Sequence, residues 1–281
     1  MRLITKAKRK VSRGLFKPLK VFFFHQVSSR FVDGKDKESI FSSMKMFEEN
    51  INYLKNHYQL ISLSEANELF QNRNIRRKRY AVITFDDGYA NILDALQVLK
   101  KQRIPATIFV NSKYVFERTV GVINLSVLAH SSVPNELNED QKLQIDQLCK
   151  HNLQEGYKRC WDSLMETLPT LPSTLEDLYL TPIQLEQLDK SLFTIGMHGY
   201  EHYNSLQLTD EEFLENVERD YANLSQYPNF IPFFCFPYGY ARESQLKLLS
   251  DRNMVSVLCA GEDNYDVKKV IYRHCLDGVK L

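Results

Sequence analysis

Two acidic residues directly follow a hydrophobic run in the first third of the chain. Residues 84–88 read Thr-Phe-Asp-Asp-Gly, so Asp86 and Asp87 leave the run side by side. Adjacent buried carboxylates repel one another, and burial raises their pKa values unless a cation is near. A divalent cation resolves both problems, and a turn at Gly88 lets one carboxylate bind it while the other stays free as a base. On its own, the pair is equally compatible with an aspartate that caps a helix beginning near Tyr89.

A second group of candidate ligands lies at residues 198–202, which read His-Gly-Tyr-Glu-His. His198 and His202 are four residues apart, a spacing that puts two imidazoles on one face of a helix. Gly196 and Gly199 suit a tight entry from loop to helix. A lone pair of this kind is often a surface accident. Combined with a carboxylate from another segment, it forms a two-histidine, one-carboxylate set that leaves positions open for water and substrate.

The elements that must position these residues alternate along the chain. Short apolar runs suited to buried strands lie at residues 21–24, 81–85, 106–110, 193–195, 233–236, 255–259 and 270–272. Helical spacing of apolar residues separates them, at residues 44–57, 90–102, 211–226 and 243–252. Helix starts with capping-box sequences follow Thr181 and Thr209. This alternation predicts an α/β fold with about seven parallel strands, either an open sheet or a barrel.

Polar residues follow five of the predicted strands. They are His25, the Asp86–Asp87 pair, the 196–202 segment, Pro237-Tyr238-Gly239, and Arg273 with His274. In barrels and open α/β sheets the chemistry lies at the carboxyl ends of the strands. We therefore expect these five segments to converge on one site.

Taken in order, the motifs resemble those of the NodB-homology polysaccharide deacetylases, carbohydrate esterase family 4. Residues 84–88 resemble the first motif of that family and residues 198–202 the second. Residues 236–239, Phe-Pro-Tyr-Gly, resemble the third motif of one branch. Residues 22–27 resemble the strand ending in Tyr-His that opens this branch, and residues 60–65 resemble its segment before the first motif. The similarity spans about residues 21–275, interrupted by a predicted α-helical insertion at about 120–190.

The resemblance implies a distorted (β/α) barrel and one divalent metal ion, usually zinc, with cobalt, nickel or manganese as further candidates. Asp87, His198 and His202 would be the metal ligands, and Asp86 the general base. The implied reaction is hydrolysis of the N-acetyl group of an amino sugar in a polysaccharide, an oligosaccharide, or a lipid- or nucleotide-linked glycan precursor. A sugar deformylase, an O-acetyl esterase and a catalytically dead glycan-binding relative are the alternatives.

Other roles also come from the resemblance. Pro237, Tyr238 and Gly239 would form the turn that binds the oxyanion and substrate, with a backbone N–H near Tyr238. The general acid would be a histidine, and we expect His25 rather than the late His274. Many relatives hold the base with an arginine in the third motif, but residues 233–236 contain none. Arg273 would take over that contact, or form a structural salt bridge instead.

Composition bounds the partners and the location. The 281 residues include 36 Lys and Arg and 35 Asp and Glu, a formal net charge of +1, which argues against a dedicated nucleic-acid binder. Residues 1–20 form a basic leader of eight Lys and Arg with no acid, ahead of a single predicted catalytic domain at 21–281. No apolar run long enough for a signal peptide or a membrane span follows the leader, and the five cysteines form no Cys-x-x-Cys pair. We therefore expect a cytoplasmic protein, with residues 2–20 either solvated or in peripheral contact with the inner membrane face.

Overall fold

The structure is a computed structural model that describes residues 17–29, 40–71, 78–119, 138–140, 142–143, 178–259, 261–264 and 270–281. Most of the basic leader and most of the insertion at 120–190 lie outside these residues. The helices expected in that insertion, and the division into leader and catalytic domain, therefore stay predictions.

The described strands form one large parallel sheet and one small one. They are β1 (Lys20–Phe24), β2 (Gln26–Ser28), β3 (Phe41–Ser43), β4 (Gln59–Leu60), β5 (Tyr80–Phe85), β6 (Ala106–Val110), β7 (Phe193–Met197), β8 (Phe230–Cys235), β9 (Val255–Leu258), β10 (Val270–Tyr272) and β11 (His274–Cys275). The large sheet has the order β10-β9-β8-β7-β6-β5-β1-β11, with β4 paired to β5, while β2 pairs with β3 separately. Its two edge strands are separated only by Arg273, so the sheet nearly closes into a barrel. The predicted parallel barrel is confirmed.

Helices surround this sheet. The described ones are α1 (Met44–His57), α2 (Leu63–Gln71), α3 (Leu93–Lys101), α4 (Ser112–Glu117), α5 (Pro182–Glu186), α6 (Asp210–Leu224) and α7 (Glu243–Asp251). Both predicted capping boxes are confirmed, because the Thr181 and Thr209 hydroxyls accept from backbone N–H groups of α5 and α6. Across the described ranges, no helix combines the length and the apolar character that a bilayer span needs.

The strand register brings the polar residues to a common level. Phe24 of β1 pairs with Phe85 of β5, and Val110 of β6 pairs with Met197 of β7. All four are fully buried in the hydrophobic core. The residue after each strand therefore emerges at the same carboxyl edge of the sheet, as His25, Asp86, Asn111 and His198.

Candidate active site

The three predicted metal ligands lie together at this edge. Asp87 Oδ1 is 3.1 Å from His198 Nε2 and 3.2 Å from His202 Nε2. All three side chains are largely buried, and one donor atom from each fits within a group whose members lie within 4.8 Å of one another. The structure thus brings together residues from the ends of β5 and β7 that are more than a hundred positions apart in sequence.

The histidine pair lies in a loop, so the expectation of a shared helix face was wrong. Gly199 has φ +79° and His202 has φ +56°, and these left-handed residues interrupt any helix at 198–202. Asp87 is also left-handed, with φ +66°. Non-glycine residues in this conformation cost about 1–3 kcal/mol each and persist only where surrounding contacts fix them. The ligand geometry is therefore imposed by tertiary contacts and not by local helix formation.

The donor set fits a divalent cation. His198 Nδ1 lies 2.9 Å from the carbonyl oxygen of Cys235, so an Nδ1–H donates there and Nε2, which faces Asp87, is the atom that would bind a cation. Asp87 Oδ1 is buried and makes no hydrogen bond of good geometry, although two imidazole nitrogens flank it. Two imidazole nitrogens and one carboxylate oxygen suit zinc, cobalt, nickel or manganese.

Asp87 is an anion in this setting. Burial raises the pKa of its carboxyl, but the charge of His202 and the contacts of both histidines outweigh burial, and the pKa falls well below its usual range. A buried anionic ligand is what a cation site needs, because it partly neutralises the bound charge.

Asp86 is held by Arg273 through a bidentate ion pair. The two guanidinium Nη atoms donate to the two carboxylate oxygens, each over 2.7 Å. Arg273 is almost fully buried, and it also contacts Thr84 Oγ1 at 3.1 Å and Cys235 Sγ at 2.8 Å. The ring of Phe23 covers the guanidinium at 4.4 Å. Arg273 thus makes the contact with Asp86 that the sequence left open.

The ion pair sets the charge of Asp86. Burial raises the pKa of the carboxyl, but the positive charge of Arg273, followed by that of His198, lowers it below its ordinary value overall. Asp86 is therefore deprotonated near neutral pH and able to accept a proton.

Sequence reasoning missed Asp277, the partner of His25. His25 Nδ1 lies 2.5 Å from Asp277 Oδ2, and the His25 backbone N–H donates to Asp277 Oδ1 over 3.0 Å. Burial lowers the pKa of His25, but the charge and the hydrogen bond of Asp277 outweigh it and raise the pKa to about 9. These residues are 252 positions apart, so no local pattern connects them; the pairing of β1 with β11 does.

His274, the alternative acid, has a different environment. Its Nε2 lies 2.8 Å from Asp263 Oδ1, which also pairs with Lys20 at 3.0 Å. This places the imidazole in an ion-pair cluster beside β1, with its ring tilted against Phe22 at 5.8 Å. The contact with Asp263 therefore gives His274 Nε2 a structural role.

The predicted oxyanion turn at Pro237–Gly239 is a tight turn after β8, closed by a hydrogen bond from the Gly239 N–H to the Phe236 carbonyl oxygen. Tyr238 is left-handed, with φ +60°, and its ring lies 5.0 Å from that of His202. Gly239 has φ +76°, and a Cβ there would lie 2.6 Å from Cys259 Cβ and 2.9 Å from the Cys259 backbone N and O. The turn therefore packs between the loop at residues 198–202 and Cys259, which fixes its place beside the candidate site.

These groups form a compact set at the carboxyl ends of parallel strands. An anionic carboxylate held by an arginine, a potential cation site and an imidazole with its own carboxylate are groups that acyl hydrolysis can use. Fold and site together define an α/β-barrel hydrolase.

Comparison with known proteins gives the family. The sequence model of the polysaccharide deacetylase family matches residues 73–257, and the chain belongs to this family. The family is one of polysaccharide deacetylases, and membership in it implies an acetylated carbohydrate as substrate. The Bacillus subtilis (strain 168) protein YxkH is 34% identical over 99 residues, which covers 34% of this chain and 33% of that relative. The matched segment is thus about one third of each protein.

Two solved structures share the fold at low sequence identity. IcaB from Ammonifex degensii superposes with a TM-score of 0.62 at 18% identity, covering 95% of this chain and 93% of that one. The de-N-acetylase from Aggregatibacter actinomycetemcomitans superposes with a TM-score of 0.63 at 15% identity, covering 93% and 96% of the two chains.

Proposed function

We propose that the protein is a metal-dependent de-N-acetylase that hydrolyses the N-acetyl group of an amino sugar within a glycan or glycan precursor. The observation that carries the proposal is the grouping of Asp87, His198 and His202 beside the arginine-held Asp86. Membership in the deacetylase family supports the bond type, and the buried donor set supports the cation.

Asp87, His198 and His202 would hold the cation. When bound, a divalent cation lowers the pKa of water and polarises an acyl carbonyl group. Zinc is the proposed metal, because nitrogen and carboxylate donors in a three-residue set are typical of catalytic zinc sites.

Asp86 is the proposed general base. Its pKa lies below the ordinary value, so the carboxylate is free to take the proton of the attacking water at neutral pH. The bidentate contact with Arg273 fixes the direction of the carboxylate plane. We therefore assign Arg273 as a positioning residue for the base.

His25 is the proposed general acid. Its hydrogen bond to Asp277 orients the imidazole and keeps it protonated below about pH 9. A protonated imidazole can donate to the leaving amine, which departs as the amino sugar. The charges of Asp86 and Asp87 act on His25, which supports His25 over His274 for this role.

The turn at Pro237–Gly239 is the proposed oxyanion-binding element. The Gly239 N–H already donates to the Phe236 carbonyl over 2.9 Å, which stabilises the turn itself. The N–H of Tyr238 is the group that we assign to the developing negative charge of the acyl oxygen.

The place of action is a further part of the proposal. The eight basic residues of the 1–20 segment would favour an anionic membrane surface, where a lipid-linked glycan precursor is available on the cytoplasmic side. Deleting residues 2–16, which leaves the buried Leu19 and strand β1 intact, should reduce binding to vesicles that contain anionic lipid. Unchanged vesicle binding and unchanged turnover of a lipid-linked sugar would remove this part and leave the hydrolase assignment intact.

Metal removal tests the main proposal. The purified protein is treated with a chelator, then reloaded with zinc, cobalt, nickel or manganese, and offered N-acetylated, N-formylated and O-acetylated sugars. We expect acetate release from an N-acetyl sugar only in metal-loaded samples. Formate release alone would indicate a deformylase, and release from O-acetyl sugars alone would indicate an esterase. Sugar binding without any metal-dependent hydrolysis would indicate a non-catalytic relative.

A further inference from the structure

A buried amide lies directly beneath the loop that carries the two histidines. Asn111 follows β6 and has no exposed surface. Its Nδ2 donates to the carbonyl oxygens of His198 at 2.6 Å and Gly199 at 2.7 Å. Its Oδ1 is buried without a hydrogen-bond partner. The contacts of the Asn111 side chain to the loop are therefore donor contacts, made by both hydrogens of a single NH₂ group.

These two hydrogen bonds stabilise a loop whose backbone conformation is unfavourable on its own. Gly199 and His202 are left-handed, and residues 198–202 form no helix. Without Asn111, two successive buried carbonyl groups would lose a partner, and each unsatisfied group costs about 1–3 kcal/mol. The Asn111 side chain therefore helps the loop at residues 198–202 to adopt this conformation where its carbonyl groups are buried.

A second amide braces the same loop from the opposite side. Asn216 of α6 accepts the N–H of Tyr200 at its Oδ1 over 2.9 Å. A Cβ at Gly199 would lie 3.0 Å from this oxygen, so the glycine leaves room for the contact. The loop is held between β6 and α6 by polar contacts to consecutive backbone groups.

We propose that Asn111 is a positioning residue of the cation site. Its amide sets the backbone at residues 198 and 199 so that the imidazoles of His198 and His202 meet Asp87 at the observed distances. This inference rests on the proposed function, since it takes the three residues to be cation ligands. Contacts outside the ligand set typically contribute 10- to 100-fold to metal affinity.

The proposed role of Asn111 requires a donor with two hydrogens, so variants that keep different numbers of donors should lose different amounts of metal affinity. Asn111→Asp keeps the size of the side chain, but it replaces the NH₂ group with an oxygen that faces two carbonyl oxygens. Asn111→Ser keeps one donor on a shorter side chain, so it can satisfy one carbonyl group at most. Metal affinity should fall most in Asn111→Asp and by an intermediate amount in Asn111→Ser.

The chain offers a matched control. Asn229 is also buried, its Nδ2 donates to the Phe193 carbonyl over 2.8 Å, and its Oδ1 is likewise without a partner. This contact lies at the opposite end of β7 from His198. Asn229→Asp therefore makes the same chemical change in a similar environment, away from the site.

The experiment measures zinc affinity by competition with a chromophoric chelator, the visible spectrum of the cobalt-loaded protein, and the melting temperature of the metal-free protein. We expect Asn111→Asp to bind zinc about 10- to 100-fold more weakly than the unchanged protein and to have an altered cobalt spectrum. Asn229→Asp should have a similar loss of melting temperature with unchanged zinc affinity and cobalt spectrum.

Three results would overturn the proposal. The first is unchanged zinc affinity in Asn111→Asp, or in Asn111→Ser if the Asp variant does not fold. The second is an equal loss of affinity in Asn229→Asp, because the effect would then follow general destabilisation. The third is a lack of zinc binding by the unchanged protein, which would remove the proposed metal dependence as well. The first two leave the proposed function intact.

Discussion

The guanidinium of Arg273 meets the carboxylate of Asp86 edge to edge, with both Nη–Oδ distances at 2.7 Å. Arginine is bound here by a carboxylate, a threonine hydroxyl and a cysteine sulfur, and a phenylalanine ring covers it. Arg273 comes from the segment between the last two strands, whereas many relatives take the corresponding arginine from the third motif. The same chemical contact is made from a different part of the chain.

Replacing Arg273 should reduce the activity that depends on Asp86 more than it reduces zinc binding. Arg273→Lys keeps a positive charge but loses the bidentate geometry, and we expect kcat to fall about 100-fold through misplacement of Asp86. The pKa of Asp86 should also rise, because Arg273 lowers it, so activity on the acid side should be lost at a higher pH. Measured kcat against pH, together with zinc content, checks this. Loss of zinc with an unchanged pH profile would contradict the positioning role.

The two adjacent aspartates should separate in function. Asp86→Asn should keep zinc and lose about 100- to 10,000-fold in kcat, the usual contribution of a general base. Asp87→Asn should lose zinc, because its oxygen lies between the two histidine nitrogens. Metal analysis and acetate release on both variants give the answer. The reverse pattern would show that the two roles are exchanged.

His25 and His274, the two candidates for the general acid, can be compared directly by matched substitutions. His25 and His274 each bind one aspartate, at 2.5 Å and 2.8 Å. His25→Gln should lower kcat by about 100-fold or more while zinc affinity is retained, whereas His274→Gln should keep most of its activity. If His274→Gln shows the larger loss of kcat at equal folding, the acid has been assigned to the wrong histidine.

The Asp277 contact should control the protonation of His25. Because Asp277 raises the pKa of His25 to about 9 against the opposing effect of burial, Asp277→Asn should lower this pKa. NMR titration of the imidazole in the metal-free protein measures it directly. Asp263→Asn, which removes the partner of His274, is the control and should leave the His25 titration unchanged.

The same contact links stability to pH. The folded pKa of His25, about 9, lies above the ordinary value of 6.5, so the stabilisation is complete below pH 6.5 and is lost as pH rises through 9. The difference in melting temperature between the unchanged protein and Asp277→Asn should therefore shrink over this range. A difference that does not change with pH would mean that the contact stabilises only through packing.

The tight packing of Gly239 against Cys259 can be tested by comparison with another left-handed glycine. Gly239 and Gly261 have φ values of +76° and +63°, but a Cβ at Gly261 would meet nothing within 4 Å. Both Gly→Ala changes carry the left-handed penalty of about 1–2 kcal/mol. Gly239→Ala should cost about 1–3 kcal/mol more, because Cys259 stands in the way. Equal melting temperatures for the two variants would show that Cys259 does not restrict the space at Gly239.

Much of the fold could be predicted because long apolar periodicity carries a strong signal. Helix α1 has the predicted bounds, residues 44–57, and β6 and β10 match the predicted runs. Strands β2, β3, β4 and β11 were not predicted, because each has only two or three residues and none of them is an apolar run like that of β10. The predicted helix at 90–102 begins with a separate 3₁₀ turn, Ala90–Ile92, before α3.

The candidate site was predictable in its residues and less so in its contacts. Asp87, His198 and His202 could be identified from motif order. Their loop conformation could not, because it depends on left-handed residues and on the hydrogen bonds that Asn111 donates to His198 and Gly199. Asp277 carries no local signal at all. Its role follows only from the pairing of strands that lie at opposite ends of the chain.

Because the sheet nearly closes, the complete site needs contacts between its first and last strands. The cation ligands come from β5 and β7, whereas the Arg273–Asp86 and His25–Asp277 contacts join residues 187 and 252 positions apart. Long loops are entropically costly to close and form slowly. We therefore expect these two contacts, which have the longest sequence separations, to form after the middle strands have paired. Recovery of zinc binding should run ahead of recovery of hydrolysis, so that a metal-loaded but inactive species accumulates briefly before the barrel closes.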